Sequence, residues 1–204
     1  MVEIVYYAAA SLDGQIATRD GGIDWLPPIE TPGSASGGDD SSGGSPGGGS
    51  GGFDYGYPDF YASVDALLMG SRTYEKILRH DDWPYMDKPT WVFTRRPLPR
   101  PPGGDVGGEA GEPRIEFTAD RPEEVLDELA LRRVKRAWIV GGGKLASSFR
   151  ERGLIHAYGI GIVPAILGGG IPLLAPHGEL EKLTLTGCQT YPDGVVVLWY
   201  RRTE

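Results

Sequence analysis

The sequence predicts an α/β protein with a largely parallel sheet covered on both faces. Three observations predict it. Short apolar runs alternate with segments of helical character, glycine-rich turns join strand to helix, and the chain closes on two β-rich runs around Tyr191-Pro192-Asp193-Gly194. At 204 residues the chain is long enough for one well-buried core and too short for two full domains, so residues 1–204 are expected to form one domain.

Val2–Ala9 reads as the first strand, and Asp13-Gly14 and Asp20-Gly21-Gly22 mark turns in a loop that ends near Trp25. Residues 33–52 are almost wholly Gly, Ser, Pro and Asp. Such a segment cannot bury enough apolar surface to offset its ordering entropy, so a flexible surface insertion is expected inside the domain. Tyr57–Ser63 is a short helix candidate, Ala66–Met69 a buried strand and Ser71–Leu78 a helix. Thr90–Thr94, Thr-Trp-Val-Phe-Thr, is rich in β-formers. A Pro/Gly-rich loop over Pro97–Pro113 leads to a short strand at Ile115–Phe117. Pro122–Arg133 reads as a helix with Pro in its first turn and Arg in its last. Arg136–Val140 is an apolar run bounded by charge, and Gly141-Gly142-Gly143 turns it into a helix at Lys144–Arg152. A strand at Ala157–Val163 precedes the closing antiparallel hairpin of Leu183–Thr190 and Val195–Arg201.

Composition excludes several classes. A formal charge of -8 argues against nucleic acid or an anionic membrane surface as the main partner. One cysteine, Cys188, allows no internal disulfide and suits a reducing compartment. The start lacks the basic region of a signal peptide, and the longest uncharged run, Ala157–Pro176, is broken by five glycines and three prolines. A soluble cytoplasmic protein is expected. His80, His156 and His177 are scattered, so no metal cluster or Ser-His-Asp set is expected.

The chemistry resides in the turns. Trp138 and Leu145 stand where a P-loop requires Gly and Ser or Thr, so that motif fails. Gly141–Ala146 satisfies the loose dinucleotide pattern G-x-G-x-x-A, but Ile160–Leu167 lacks the acidic residue that a Rossmann domain needs. Ligands of parallel sheets sit at the carboxyl ends of the strands, which places Ala9–Ala10, Gly70, Thr94 and Gly141 along one rim. Gly70-Ser71-Arg72-Thr73 offers amides, a hydroxyl and a guanidinium suited to a diphosphate, or else Ser71 merely caps its helix. Thr94-Arg95-Arg96 can grip a phosphate monoester such as the 2′-phosphate of NADP. Asp13 is the candidate for polarising substrate or passing a proton; the other reading is a turn aspartate before Gly14.

Ala9–Ala17, Asp24-Trp25, Met69–Glu75, Phe93–Arg96, Ile139–Leu145 and Val163–Pro172 together resemble the dihydrofolate reductase-like superfamily. Within it, the chain resembles the reductase domain of bacterial riboflavin-biosynthesis proteins and its stand-alone relatives. The resemblance implies a single domain with a mostly parallel mixed sheet and NADPH as hydride donor. It implies that Ala9 and Ile16 flank the nicotinamide, with Ala9 backbone groups on its carboxamide. Ser71, Arg72 and Thr73, after Gly70, would meet the phosphates at one helix start, and Gly142, Gly143, Lys144 and Leu145, after Gly141, at the other. Thr94, Arg95 and Arg96 would hold the 2′-phosphate. Trp25, Asp59 and Phe60 would wall the substrate pocket.

The acceptor implied first is a riboflavin-pathway aminouracil ribosyl phosphate; a pterin or folate is the alternative, and a non-catalytic NADP-binding module the third reading. Two features depart from the riboflavin enzymes. Ile29–Phe60 contains no Arg or Lys, and the fused zinc deaminase motifs are missing. A homodimer is also implied, with the apolar Ala157–Leu174 region as its expected interface.

Overall fold

The protein is described by a computed structural model over residues 1–27, 53–79, 83–101, 114–176 and 178–203. The expected insertion at 33–52, most of the loop before residue 114, and His80 and His177 lie outside these residues.

The described elements are β1 (Glu3–Ser11), β2 (Gln15–Ala17), α1 (Tyr57–Ala62), β3 (Ala66–Gly70), α2 (Ser71–Ile77), β4 (Thr90–Phe93) and β5 (Ile115–Thr118). They continue with α3 (Pro122–Leu131), β6 (Arg136–Gly141), α4 (Gly143–Arg150), β7 (Ala157–Val163), β8 (Ile171–Pro172), β9 (Leu183–Thr190) and β10 (Val196–Arg202). One eight-stranded sheet runs β5-β4-β3-β6-β1-β7-β10-β9. Strands β5 to β7 of that order pair in parallel, and β10 and β9 pair antiparallel at one edge. A second, two-stranded sheet of β2 and β8 was not expected, because strands this short carry no readable periodicity.

Alternation along β1 divides the core. Ile4 and Tyr6 face one side, where α3 contributes Val125 and Leu129 and α4 contributes Leu145, Ala146 and Phe149. Val5 and Tyr7 face the other, where α1 brings Phe60 and α2 brings Tyr74 against Met69 and Val92. Phe149 is fully buried and edge-on to Phe93. Burial of such a ring stabilises the fold by about 2–3 kcal/mol.

β7 lies between β1 and β10 and is mostly buried. The strand part of Ala157–Leu174, the expected dimer interface, is buried from Ala157 to Ile160 and partly exposed at Gly161 and Ile162. Among the described residues no helix is long and apolar enough to cross a membrane.

Candidate active site

The parallel strands all end on one rim, and there the sheet opens. Pairing of β1 with β6 stops at Tyr6 and Ile139, although β1 continues to Ser11 and β6 to Gly141. Beyond that point β1 is held only by β7, through Ser11 opposite Val163, while β6 shifts register against β3. The result is a crevice between β1 and β6. The Trp138 indole fills part of the gap by donating to the Tyr7 carbonyl at 2.9 Å. Alternation turns the Ala9 amide and carbonyl to this same side, past the last rung of the ladder.

Two glycine turns meet beside the crevice. A Cβ on Gly142 would stand 3.5 Å from Thr73 Oγ1 and 3.8 Å from Gly70 Cα, so the turn before α4 touches the turn before α2. Gly142 has φ 96°, a conformation that favours glycine. A Cβ on Gly143 would collide with the Pro172 carbonyl, which seats β8 against the start of α4. Neither α2 nor α4 has a side-chain cap; their N-caps are Gly70 and Gly142. Ser71 therefore does not cap its helix. By contrast, Glu124 accepts from the Arg121 amide at the start of α3, at 2.8 Å. The first amides of α2 and α4 are thus left without a side-chain acceptor, and they face the same junction.

Cations surround this junction. Arg72, Arg95 and Lys144 are exposed, and none has an ion pair among the described residues. Arg96 differs: it forms a two-pronged pair with Glu75 at 2.9 and 2.5 Å. Arg96, then Arg79 and Arg72, hold the Glu75 carboxyl below its ordinary range, partly offset by desolvation. Thr94 Oγ1 accepts from the Arg96 amide at 3.1 Å and donates to the Arg96 carbonyl at 2.9 Å. Leu145 is buried in the core, so at this turn it can offer only its backbone.

The loop after β1 is tied down by Asp13. Its carboxylate accepts from Ser11 Oγ at 2.6 Å and from the amides of Leu167 and Gly168 at 3.1 and 2.9 Å. The Ser11 hydroxyl, followed by the Leu167 amide, holds the Asp13 carboxyl below its ordinary range. Asp13 is neither a free acid nor a simple turn aspartate; it joins the loops after β1 and β7. Ile16 packs against the α3–α4 side of the sheet, whereas Ala9 packs with Trp25 and Tyr191 on the other.

That second side carries an aromatic wall. Tyr7 stacks on Phe60 with centroids 4.3 Å apart and on Trp199 at 5.4 Å. Tyr55 meets Tyr191 at 4.9 Å. Phe60, expected on the pocket wall, is only 5 % exposed and backs Tyr7 from inside the core. Asp59 is exposed in the first turn of α1, and Trp25 is half-buried. Sequence reasoning missed Tyr7, Tyr191 and Glu75. A tyrosine inside a strand reads as core, and the Glu75–Arg96 pair spans elements far apart in the chain.

The RibD C-terminal domain profile matches residues 2–197. The chain belongs to the RibD C-terminal domain family. It is 30 % identical over 198 residues to the uncharacterized protein YwjB of Bacillus subtilis, covering 97 % of each chain. Among solved structures it superposes on a putative riboflavin biosynthesis protein from Shewanella sp. PV-4 with TM-score 0.74 at 24 % identity, covering all of both chains. It also superposes on Enterococcus faecalis dihydrofolate reductase complexed with NADP(H), with TM-score 0.59 at 13 % identity, over 99 % of this chain and 97 % of that one. The fold of this RibD C-terminal domain is therefore dihydrofolate reductase-like.

Proposed function

We propose that this chain is an NADPH-dependent reductase that delivers hydride to a small planar heterocycle held over Ala9. One observation carries the reading. The β1–β6 ladder ends early, and the crevice this opens is lined by uncapped amides of α2 and α4 and by Arg72, Arg95 and Lys144. Uncapped amides of two helix starts, together with cations that have no ion pair among the described residues, suit a diphosphate and an extra phosphate.

In this reading Ala9 and Ile16 flank the nicotinamide, and the Ala9 backbone orients it. Ser71, Arg72 and Thr73 on one side, and Gly142, Gly143, Lys144 and Leu145 on the other, hold the diphosphate. Thr94 and Arg95 hold the 2′-phosphate, with Arg96 beside them. The bound cofactor supplies the hydride. The protein's part is alignment and exclusion of water. A C=N bond of the acceptor, in the ring of a pterin or in the opened ribosylamine of an aminouracil, gains the hydride at carbon and a proton at nitrogen. Asp13, held ionised by three donors, has no proton to give at neutral pH, so it is assigned to holding the loop and the proton to water.

Calorimetry with NADPH and NADH, followed by loss of reduced-nicotinamide absorbance with a panel of aminouracils, dihydropterins and dihydrofolate, tests the proposal. NADPH is expected to bind at least about tenfold tighter than NADH, and one acceptor to be turned over. Arg95→Ala should weaken NADPH by about tenfold and leave NADH unchanged. An equal loss for both cofactors would count against Arg95 as the 2′-phosphate group. Tight binding without oxidation of any acceptor would leave a nucleotide-binding module.

A further inference from the structure

The acceptor side of the crevice has a chemistry of its own. Tyr7, Ala8 and Ala9 lie in the middle of a central strand yet remain partly exposed, as do Gly161 and Ile162 on the neighbouring β7. Ala8 and Ile162 lie on the α3–α4 side, so on the opposite face it is Tyr7, Ala9 and Gly161 that the described residues leave partly open. On the Tyr7 side, the residue facing Ala9 across the ladder is Gly161, and a Cβ there would meet only Ala9 Cα and Val197 Cγ2, both at 3.9 Å. A floor of Ala and Gly between Tyr7 and Trp25 is flat and lets a ring lie against the backbone.

The charge around this floor has one sign. Asp54 is exposed on the segment leading into α1, Asp59 is exposed in the first turn of α1, and Asp193 accepts from the Tyr55 hydroxyl at 2.5 Å. Burial, then Tyr191, Tyr57 and Asp54, push the Tyr7 hydroxyl up to about 12, and burial and Asp54 raise Tyr191 as well. All Lys and Arg residues of the chain lie within the described part. Among the described residues, none of them hydrogen-bonds to, or lies over the ring of, Trp25, Tyr55, Tyr57 or Tyr191. Arg136 and Lys88 lie over the rings of Phe60 and Tyr61, but they come from the opposite rim and are paired with Glu3 and Asp87. Arg19 lies against Gly169, beside the β2–β8 sheet. Two donors of the wall, Trp25 Nε1 and the Tyr191 hydroxyl, are buried without a hydrogen-bond partner.

We infer that the acceptor is a planar heteroaromatic ring without a phosphate group, neutral or cationic, stacked on the wall of Tyr7, Trp25 and Tyr191 over the Ala9–Gly161 floor. The inference rests on the reductase reading and narrows its substrate. A ring meets π-faces and unspent donors here, whereas a dianionic phosphate would meet carboxylates and no cation.

The test uses the full chain loaded with NADP⁺ and one matched pair of probes, 5-amino-6-ribitylaminouracil and its 5′-phosphate, titrated by calorimetry and by quenching of tryptophan fluorescence. The phosphate-free ring is expected to bind at least about tenfold tighter. Asp54→Lys and Asp59→Lys, both at exposed positions, should each narrow that preference by strengthening the phosphorylated probe. Equal or tighter binding of the phosphorylated probe to the unaltered protein would overturn the inference. So would failure of both probes to bind while NADP⁺ binds. Failure of NADP⁺ itself to bind overturns the reductase reading instead, so the two failures are told apart.

Discussion

Glu75 and Arg96 show how a residue's role depends on a partner remote in sequence. Thr94-Arg95-Arg96 reads as a pair of equivalent cations, but only Arg95 is unpaired among the described residues, while two Arg96 donors are spent on Glu75. Glu75→Gln keeps one acceptor and removes the charge, so the three arginines around it face solvent with one more unit of net positive charge. NADPH affinity is expected to rise several-fold and NADH affinity by less, since Arg72 serves the diphosphate of both, as measured by calorimetry. His156 is a different case. Nδ1 accepts the Ile4 amide at 3.0 Å, and the His156 amide donates to the Ile4 carbonyl at 2.9 Å. Nδ1 must be unprotonated, and burial lowers the imidazole from its ordinary 6.5. Below that value the unfolded chain takes up the proton before the folded one, so stability falls as the solution turns acid. His156→Asn keeps an acceptor without the titration. Its melting temperature should vary less than the parent's between about pH 7 and about pH 5.

At the scale of elements, the helices and long strands were legible because their patterns are local. Ala66–Met69 is a run of apolar residues between polar ends, and Pro122 marks the start of a helix with Val125 and Leu129 buried that ends at Leu131, before the expected Arg133. β2 and β8 were not legible, since they exist only because each finds the other. Their seat against α4 depends on Gly143. Gly143→Ala would press a methyl group into the Pro172 carbonyl, at a cost of about 1–3 kcal/mol. The expected readout is a lowered melting temperature together with faster amide exchange in β8. Phe149→Ala, removing the main contact of α4, should cost about 3–5 kcal/mol in denaturant unfolding. If Gly143→Ala instead weakens NADPH binding with no thermal shift, the turn serves the ligand and not the packing.

For the whole molecule, parallel pairing brings the carboxyl ends of β1, β3, β4 and β6 to one rim, as the alternation of strands and helices in the sequence implies. That alternation could not reveal that β1 and β6 part company after Tyr6 and Ile139, because separation of two strands leaves no trace in either one's composition. Nor could it show the aromatic wall, whose rings come from β1, α1, the segment before α1 and the final hairpin turn. The groups suited to the nucleotide and those suited to the acceptor therefore have almost no residues in common. Ala9 is where the two sets adjoin. In the proposed reading, altering a few rings and carboxylates would retune which compound is reduced without touching the groups that grip the electron source.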